Sequence, residues 1–295
     1  MFASAYAVVR FLHLALYVDA GRQGSASRSA IAGFAVTVAV GMALLIGGSF
    51  AHGTERIVLW LAAAAIDYAG PAWLTRERLR KLQRLAVAHF AERYGLFVII
   101  CLGESIVAIG LGARNRPLSV ALVAAVSLGL LITVGLWWTY FDHFAQAAEE
   151  RLRSHRDPVI AAADAYSYLH LAIVAGIIVF AVGAGSVVHA ANRPLGDFAR
   201  LALCGGVSLY LVGHAAFLLR MVGAVGHQKL AAAAALLALY ALGGELPGWT
   251  MAGVVAVVLA ALCAVETANI RARRAPSEPP AERQQPVRAD PGRGL

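Results

Sequence analysis

Charge is scarce in this chain. Asp, Glu, Lys and Arg make up 14% of its 295 residues while 60% are hydrophobic, and the mean hydropathy is +0.69. That balance excludes an ordinary soluble domain, whose surface needs about a quarter charged residues. Cysteine is scarce too. Cys101, Cys204 and Cys263 each lie inside apolar runs with no CxxC spacing, which reads as inert buried thiols rather than a disulfide or metal framework. No Gly-rich phosphate loop, Rossmann fingerprint or H-E-x-x-H occurs, so no nucleotide, cofactor or metal is expected. His89-Phe90-Ala91-Glu92 lacks the second histidine of a zinc motif. Met1 is not followed by a basic n-region, short apolar core and small-residue cleavage site, and no removable leader is expected.

What is abundant is long apolar sequence. Blocks of about 17–25 residues recur between short polar connections, the length a helix needs to cross a bilayer. Strands of a membrane barrel would be half as long and would alternate. The fold class is therefore all-α, a polytopic transmembrane bundle of about nine spans over residues 1–270, followed by a disordered tail, 271–295. The net charge of +8 is concentrated in two places. Loop 75–93 has six basic residues against Glu77 and Glu92, and the tail has six arginines against three acids. By the positive-inside rule both are cytoplasmic, which is a topology signal and not a nucleic-acid footprint. Within 76–93, Leu79, Leu82, Leu85, Ala86 and Phe90 repeat at helical spacing among Arg and Lys, which predicts a surface helix on anionic lipid head groups.

The candidate functional residues are ionisable groups inside apolar runs. Glu104 has nine residues of the apolar segment 95–113 on either side, placing it near the midplane, where an acidic residue costs roughly 2.5–3.5 kcal/mol. It is expected to face protein or water. Gly103 and Gly110, one heptad apart, should let another helix approach closely. In the first span Tyr6, Arg10, His13 and Tyr17 share one helical stripe, with Arg10 near the centre. Asp67 is central in the third span, with Pro71 one turn later freeing a carbonyl beside the carboxylate. This suits an ion site, and a structural Asp–Arg pair would look the same. Trp137-Trp138-Thr139-Tyr140-Phe141 closes the fifth span as an interfacial aromatic belt, and Asp142 follows at a possible vestibule. His170 and His214 lie at similar depth toward the cytoplasmic side of the sixth and seventh spans. Gly176/Gly183 and Gly206/Gly213 repeat the heptad glycine spacing. Spans eight and nine, with Glu245 and Glu266 near their ends, read as peripheral.

One stretch also carries a family resemblance. His89-Phe90-Ala91-Glu92-Arg93-Tyr94-Gly95-Leu96-Phe97, followed by Leu102-Gly103-Glu104-Ser105-Ile106, resembles the signature of the bacterial low temperature requirement protein A family. Tyr140-Phe141-Asp142, Tyr168-Leu169-His170 and Ala175-Gly176-Ile177 extend the resemblance, although the family's usual Pro two residues after the histidine is Ala172 here. The resemblance implies a polytopic protein of the bacterial plasma membrane. Family members usually carry further spans upstream, so a shortened chain is expected.

Two functions follow from this set. The first is proton- or ion-coupled transport of a small ion or solute. Glu104 is its coupling carboxylate, Arg10 or Asp67 the partner, Ser105 and Asp142 pathway groups, and His13, His170 and His214 the route to the cytoplasm. The alternative, which the family name suggests, is a non-catalytic membrane protein for cold or stress adaptation in which the charges are structural pairs. An intramembrane enzyme is not expected: Ser105 has no assignable His base, and Asp67 has no second midplane aspartate beside it. A homo-oligomer is compatible with either reading.

Overall fold

The computed structural model describes residues 2–22, 28–79, 87–142, 144–155 and 162–274. Among these are ten α-helices. They are α1 (Phe2–Arg22), α2 (Arg28–Phe50), α3 (Gly53–Leu79), α4 (Val87–Ala113), α5 (Val120–Phe141) and α6 (Phe144–Ser154), then α7 (His170–His189), α8 (Asp197–Val222), α9 (His227–Leu242) and α10 (Gly248–Arg274). A π-helical segment, Ala162–Leu169, runs directly into α7. Helices are the local solution because an apolar segment without water must satisfy its own N–H and C=O groups. Their ends are set by local chemistry. The Ser119 side chain accepts from the Leu122 N–H at 3.2 Å to start α5. Gly223, at φ 71°, ends α8 in the left-handed conformation that glycine adopts without strain.

The sequence leads one to expect about nine spans, and the described helices account for six of them by length and hydropathy. Among the described residues, these six segments are long and apolar enough to cross a membrane: Ala32–Phe50, Ala91–Ala113, Val120–Phe141, His170–His189, Asp197–Val222 and Gly248–Ala272. Ala5–Leu16 and His227–Leu242 are shorter apolar helices. α3 stays helical through Pro71, which has no N–H to donate to the Asp67 carbonyl one turn earlier. The one irregular stretch near His170 precedes it, in the π-helical segment, a form of helix that often marks functional sites. Arg271–Arg274, expected in the disordered tail, still belong to α10. Residues 275–295 and the centre of the amphipathic surface segment, 80–86, lie outside the described residues.

The helices pack in two groups. In the first, α2 lies against both α1 and α3. The second is built on the α7–α8 pair, with α4 on α7, α9 on α8, and α5 with α10 alongside. Tyr68 of α3 links the groups by donating its Oη to the Tyr168 carbonyl at 2.6 Å. The α7–α8 pair is close because of its glycines: a Cβ on Gly176 would lie 2.5 Å from the Tyr210 backbone nitrogen. Gly103 and Gly110 do not serve that purpose within this chain. Among the described residues nothing lies within 4 Å of where a Cβ would stand at either, because α4 turns its other face, with Val98, Cys101, Leu102 and Ile109, inward. The short helix α6 caps one end of the second group, burying Phe144, Ala148 and Leu152, three residues spaced four apart.

Candidate functional site

Arg10 and Asp67, both on the first group of helices, meet. The Arg10 guanidinium donates to Asp67 Oδ1 at 2.5 Å and Tyr6 Oη donates to Oδ2 at 2.6 Å. Gly41 of α2 gives the carboxylate room: a Cβ there would lie 3.0 Å from Oδ1. The Arg10 guanidinium carbon also stands 5.5 Å from the centre of the Phe34 ring. This is an ion pair with both carboxylate oxygens satisfied, which is how a structural pair is held. Asp67→Asn strands the Arg10 charge and is expected to destabilise the protein by roughly 3 kcal/mol. Thermal unfolding of the detergent-solubilised chain checks this, and an Asp67→Asn protein as stable as wild type rejects the pairing. His13, on the same helix, is exposed with its ring edge-on to Phe34 at 6.1 Å.

The second group of helices holds a buried polar cluster. His170, at the first turn of α7, and His214 of α8 are 1% and 0% exposed. His170 Nε2 lies 2.7 Å from Tyr140 Oη. The Tyr166 ring, brought beside it by the π-helical segment, stacks on the His170 ring at 5.2 Å. His214 is one turn after Tyr210, and its Nδ1 lies 3.0 Å from the Tyr210 carbonyl oxygen. A carbonyl only accepts, so Nδ1 carries the proton and Nε2 of the neutral ring is left as an acceptor. That Nε2, and Nδ1 of His170, are buried with no hydrogen-bond partner among the described residues. Tyr210 Oη donates to the Leu136 carbonyl at 2.6 Å and lies 2.9 Å from Thr139 Oγ1, tying α8 to α5 through polar groups.

Next to this cluster, at the α6 end of the bundle, is a cavity of about 530 Å³ between α5, α6, α8, α9 and α10. Its wall includes Thr139, Asp142, Phe144, Arg151, Lys229 and Glu266. Lys229 is 4% exposed and is held by Glu266, its Nζ lying 2.7 Å from Oε1 and 2.9 Å from Oε2. Phe144 belongs to both regions. It lines the cavity, and its ring centre is 4.2 Å from that of His214 and 4.8 Å from that of Phe217. One aromatic ring therefore separates an aqueous-sized cavity from two histidines with orphan nitrogens.

The expected pathway residues divide among three places. Arg10 and Asp67 form one pair, with His13 on the same helix. His170, His214 and Asp142 gather around Tyr140, Phe144 and the cavity. Glu104 joins neither: it is exposed on the outer face of α4, and no hydrogen bond or ion pair joins it to Arg10 or Asp67 among the described residues. Ser105 is buried and directs its Oγ to the Cys101 carbonyl at 3.5 Å, a helix-internal role. The candidate set left out Tyr140, Tyr166, Tyr210, Lys229 and Glu266, although Tyr166 and Tyr210 each stand one helical turn before a candidate histidine. For Tyr140 a signal existed, since Thr133, Leu136 and Tyr140 follow at helical spacing and all three are buried. The peripheral reading of the last two spans is corrected by the Lys229–Glu266 pair, which joins α9 to α10 at the cavity wall.

The family model described as Bacterial low temperature requirement A protein (LtrA) matches residues 1–264. An uncharacterized protein of Rhizobium meliloti (strain 1021) is 32% identical over 221 residues, covering 72% of this chain and 54% of that protein. The chain thus spans about half the length of the curated relative it matches. No solved structure matches.

Proposed function

Since the chain belongs to the bacterial low temperature requirement A family and is a multi-pass membrane protein, we propose that it moves protons, alone or coupled to a small solute, across the bacterial plasma membrane without covalent catalysis. The observation that carries this reading is the pair of fully buried histidines, each with a ring nitrogen unpartnered among the described residues, behind Phe144 in the wall of a largely apolar cavity that also carries Asp142, Lys229 and Glu266. A buried ring nitrogen with a free lone pair can take up a proton, and membrane-embedded His chains with such partners serve as relays. In this reading His214 is loaded from the cavity when the Phe144 ring moves aside. His170, hydrogen-bonded to Tyr140, is the second carrier. Lys229, Glu266 and Asp142 make the cavity polar enough to hold water or a solute.

The α6 end is the cytoplasmic one in this proposal. That end carries Arg151 and Arg153, and the positive-inside rule assigns the basic loop 75–93 and the Arg-rich tail to the cytoplasm, so this reading makes the C-terminus cytoplasmic as well. The Arg10–Asp67–Tyr6 arrangement, with its carboxylate fully satisfied, supports a structural role for the first group of helices.

Proton flux into proteoliposomes, driven by an imposed potential, tests the proposal. His214→Gln and His170→Gln are each expected to reduce flux at least tenfold, because proton transfer by a positioned side chain contributes on the order of 10²–10⁴ in rate. Glu104→Gln leaves it within twofold. Flux that survives the double His170→Gln/His214→Gln replacement, or a folded wild-type protein that conducts nothing, overturns it. The second outcome would favour the non-transporting, stress-adaptation reading.

A further inference from the structure

Glu104 stands alone on a patterned surface. Phe97, Ile100, Glu104, Val107 and Leu111 follow at alternating spacings of three and four, so they form one straight seam along the outer face of α4. All five are exposed, the four apolar ones by 48–67%. The seam covers four turns, about 21 Å, and lies inside the apolar stretch Ala91–Ala113. Arg93 and Arg114 continue the same spacing outside it, so charge bounds the seam at both ends. Gly103 and Gly110 run along one flank with nothing within 4 Å of a Cβ position, which keeps that edge low.

We infer that this seam is a parallel interface between two copies of the chain, with Glu104 meeting its own counterpart across a twofold axis along the membrane normal. Three observations select a second copy over lipid or another helix of this chain. Lipid accepts any apolar pattern but not a carboxyl group at mid-span. Among the described residues, other largely buried charges already have partners, Arg10 with Asp67, Lys229 with Glu266 and Arg200 with Asp197. Finally, copies inserted in the same direction pack in parallel, and a 3.5-residue repeat places each seam residue beside its equivalent. A carboxyl group facing its equivalent has a matching partner, because one proton shared between the two supplies the donor while the other group accepts. A single polar group at such a position fixes the register of a parallel pair. The interface is independent of the cavity and the histidines, and does not rest on the transport reading.

Two measurements on the full chain in lipid vesicles test it. With Cys101, Cys204 and Cys263 replaced by Ala, Ile100→Cys and Val107→Cys are expected to form oxidant-induced dimers. Ile99→Cys, equally exposed but about 100° around the helix from Ile100, should give none. With the native cysteines in place and a fluorophore on the C-terminal tail, energy transfer should report association that weakens on the order of tenfold in Glu104→Ala and is retained in Glu104→Gln. Equal cross-linking at Ile99 and Ile100, or energy transfer unchanged by Glu104→Ala, overturns the interface. A chain that stays monomeric at every protein-to-lipid ratio also overturns it, and would assign the seam to a different polypeptide.

Discussion

Lys229→Met is expected to destabilise the protein by about 3–5 kcal/mol, and Glu266→Met by a similar amount, whereas the double replacement should recover most of the loss. The reason is the asymmetry of buried pairs. Both ions are held away from water, the Lys229 side chain 5% exposed and that of Glu266 24%. Their mutual attraction roughly offsets the desolvation of each, so the pair adds little net stability. Removing one leaves the other uncompensated, which is the large term. Replacing both by apolar groups of similar length removes the uncompensated charge as well. Reversible unfolding in mixed micelles, followed by helix loss, reads out the cycle. Single replacements as stable as wild type would show that water or a third group already holds one of the two charges. The double replacement also separates fold from function. It keeps the α9–α10 contact but removes two charges from the cavity wall, so in the transport reading flux falls even where stability returns.

How far this site could be read from sequence depends on which coordinate of a residue is asked for. Depth along the helix axis was legible, because apolar runs count out the bilayer in residues. Glu104 at mid-span, and His170 and His214 near one end, came from that count alone. The azimuth on each helix was partly legible: Thr133, Leu136 and Tyr140 share a stripe, yet the two exposed tryptophans beside Tyr140 suggested an interfacial belt. What periodicity does not carry is which helix faces which. Asp67 and Glu104 both looked like midplane carboxylates in search of a cation, and only the α1–α2–α3 packing gives Arg10 to Asp67. Lys229 and Glu266 sit near helix ends, where a charge ordinarily reaches water. Their burial depends on α9 and α10 bringing the two side chains together, a tertiary fact with no local signature.

The three heptad glycine pairs make the same point as a prediction. Gly103/Gly110, Gly176/Gly183 and Gly206/Gly213 have identical spacing, each inside a long and mainly apolar run. Gly206→Val is nevertheless expected to cost 3 kcal/mol or more, at or beyond the upper end of the ~1–3 kcal/mol usual for overpacking, and Gly103→Ala less than about 0.5 kcal/mol. A Cβ on Gly206 would meet backbone on two sides, Phe180 Cα at 2.8 Å and the Gly176 carbonyl oxygen at 2.9 Å. Backbone cannot rotate away as a side-chain tip can, so α7 and α8 must separate along their length. That separation would also loosen Tyr210, whose hydroxyl bonds to α5 and whose carbonyl orients His214. The Gly206→Val protein should therefore lose both stability and flux, whereas Gly103→Ala, with open space around it, should lose neither. Unfolding and flux measured on the same two proteins decide it: a Gly206→Val chain that unfolds like wild type would mean that the α7–α8 contact is looser than its glycines require.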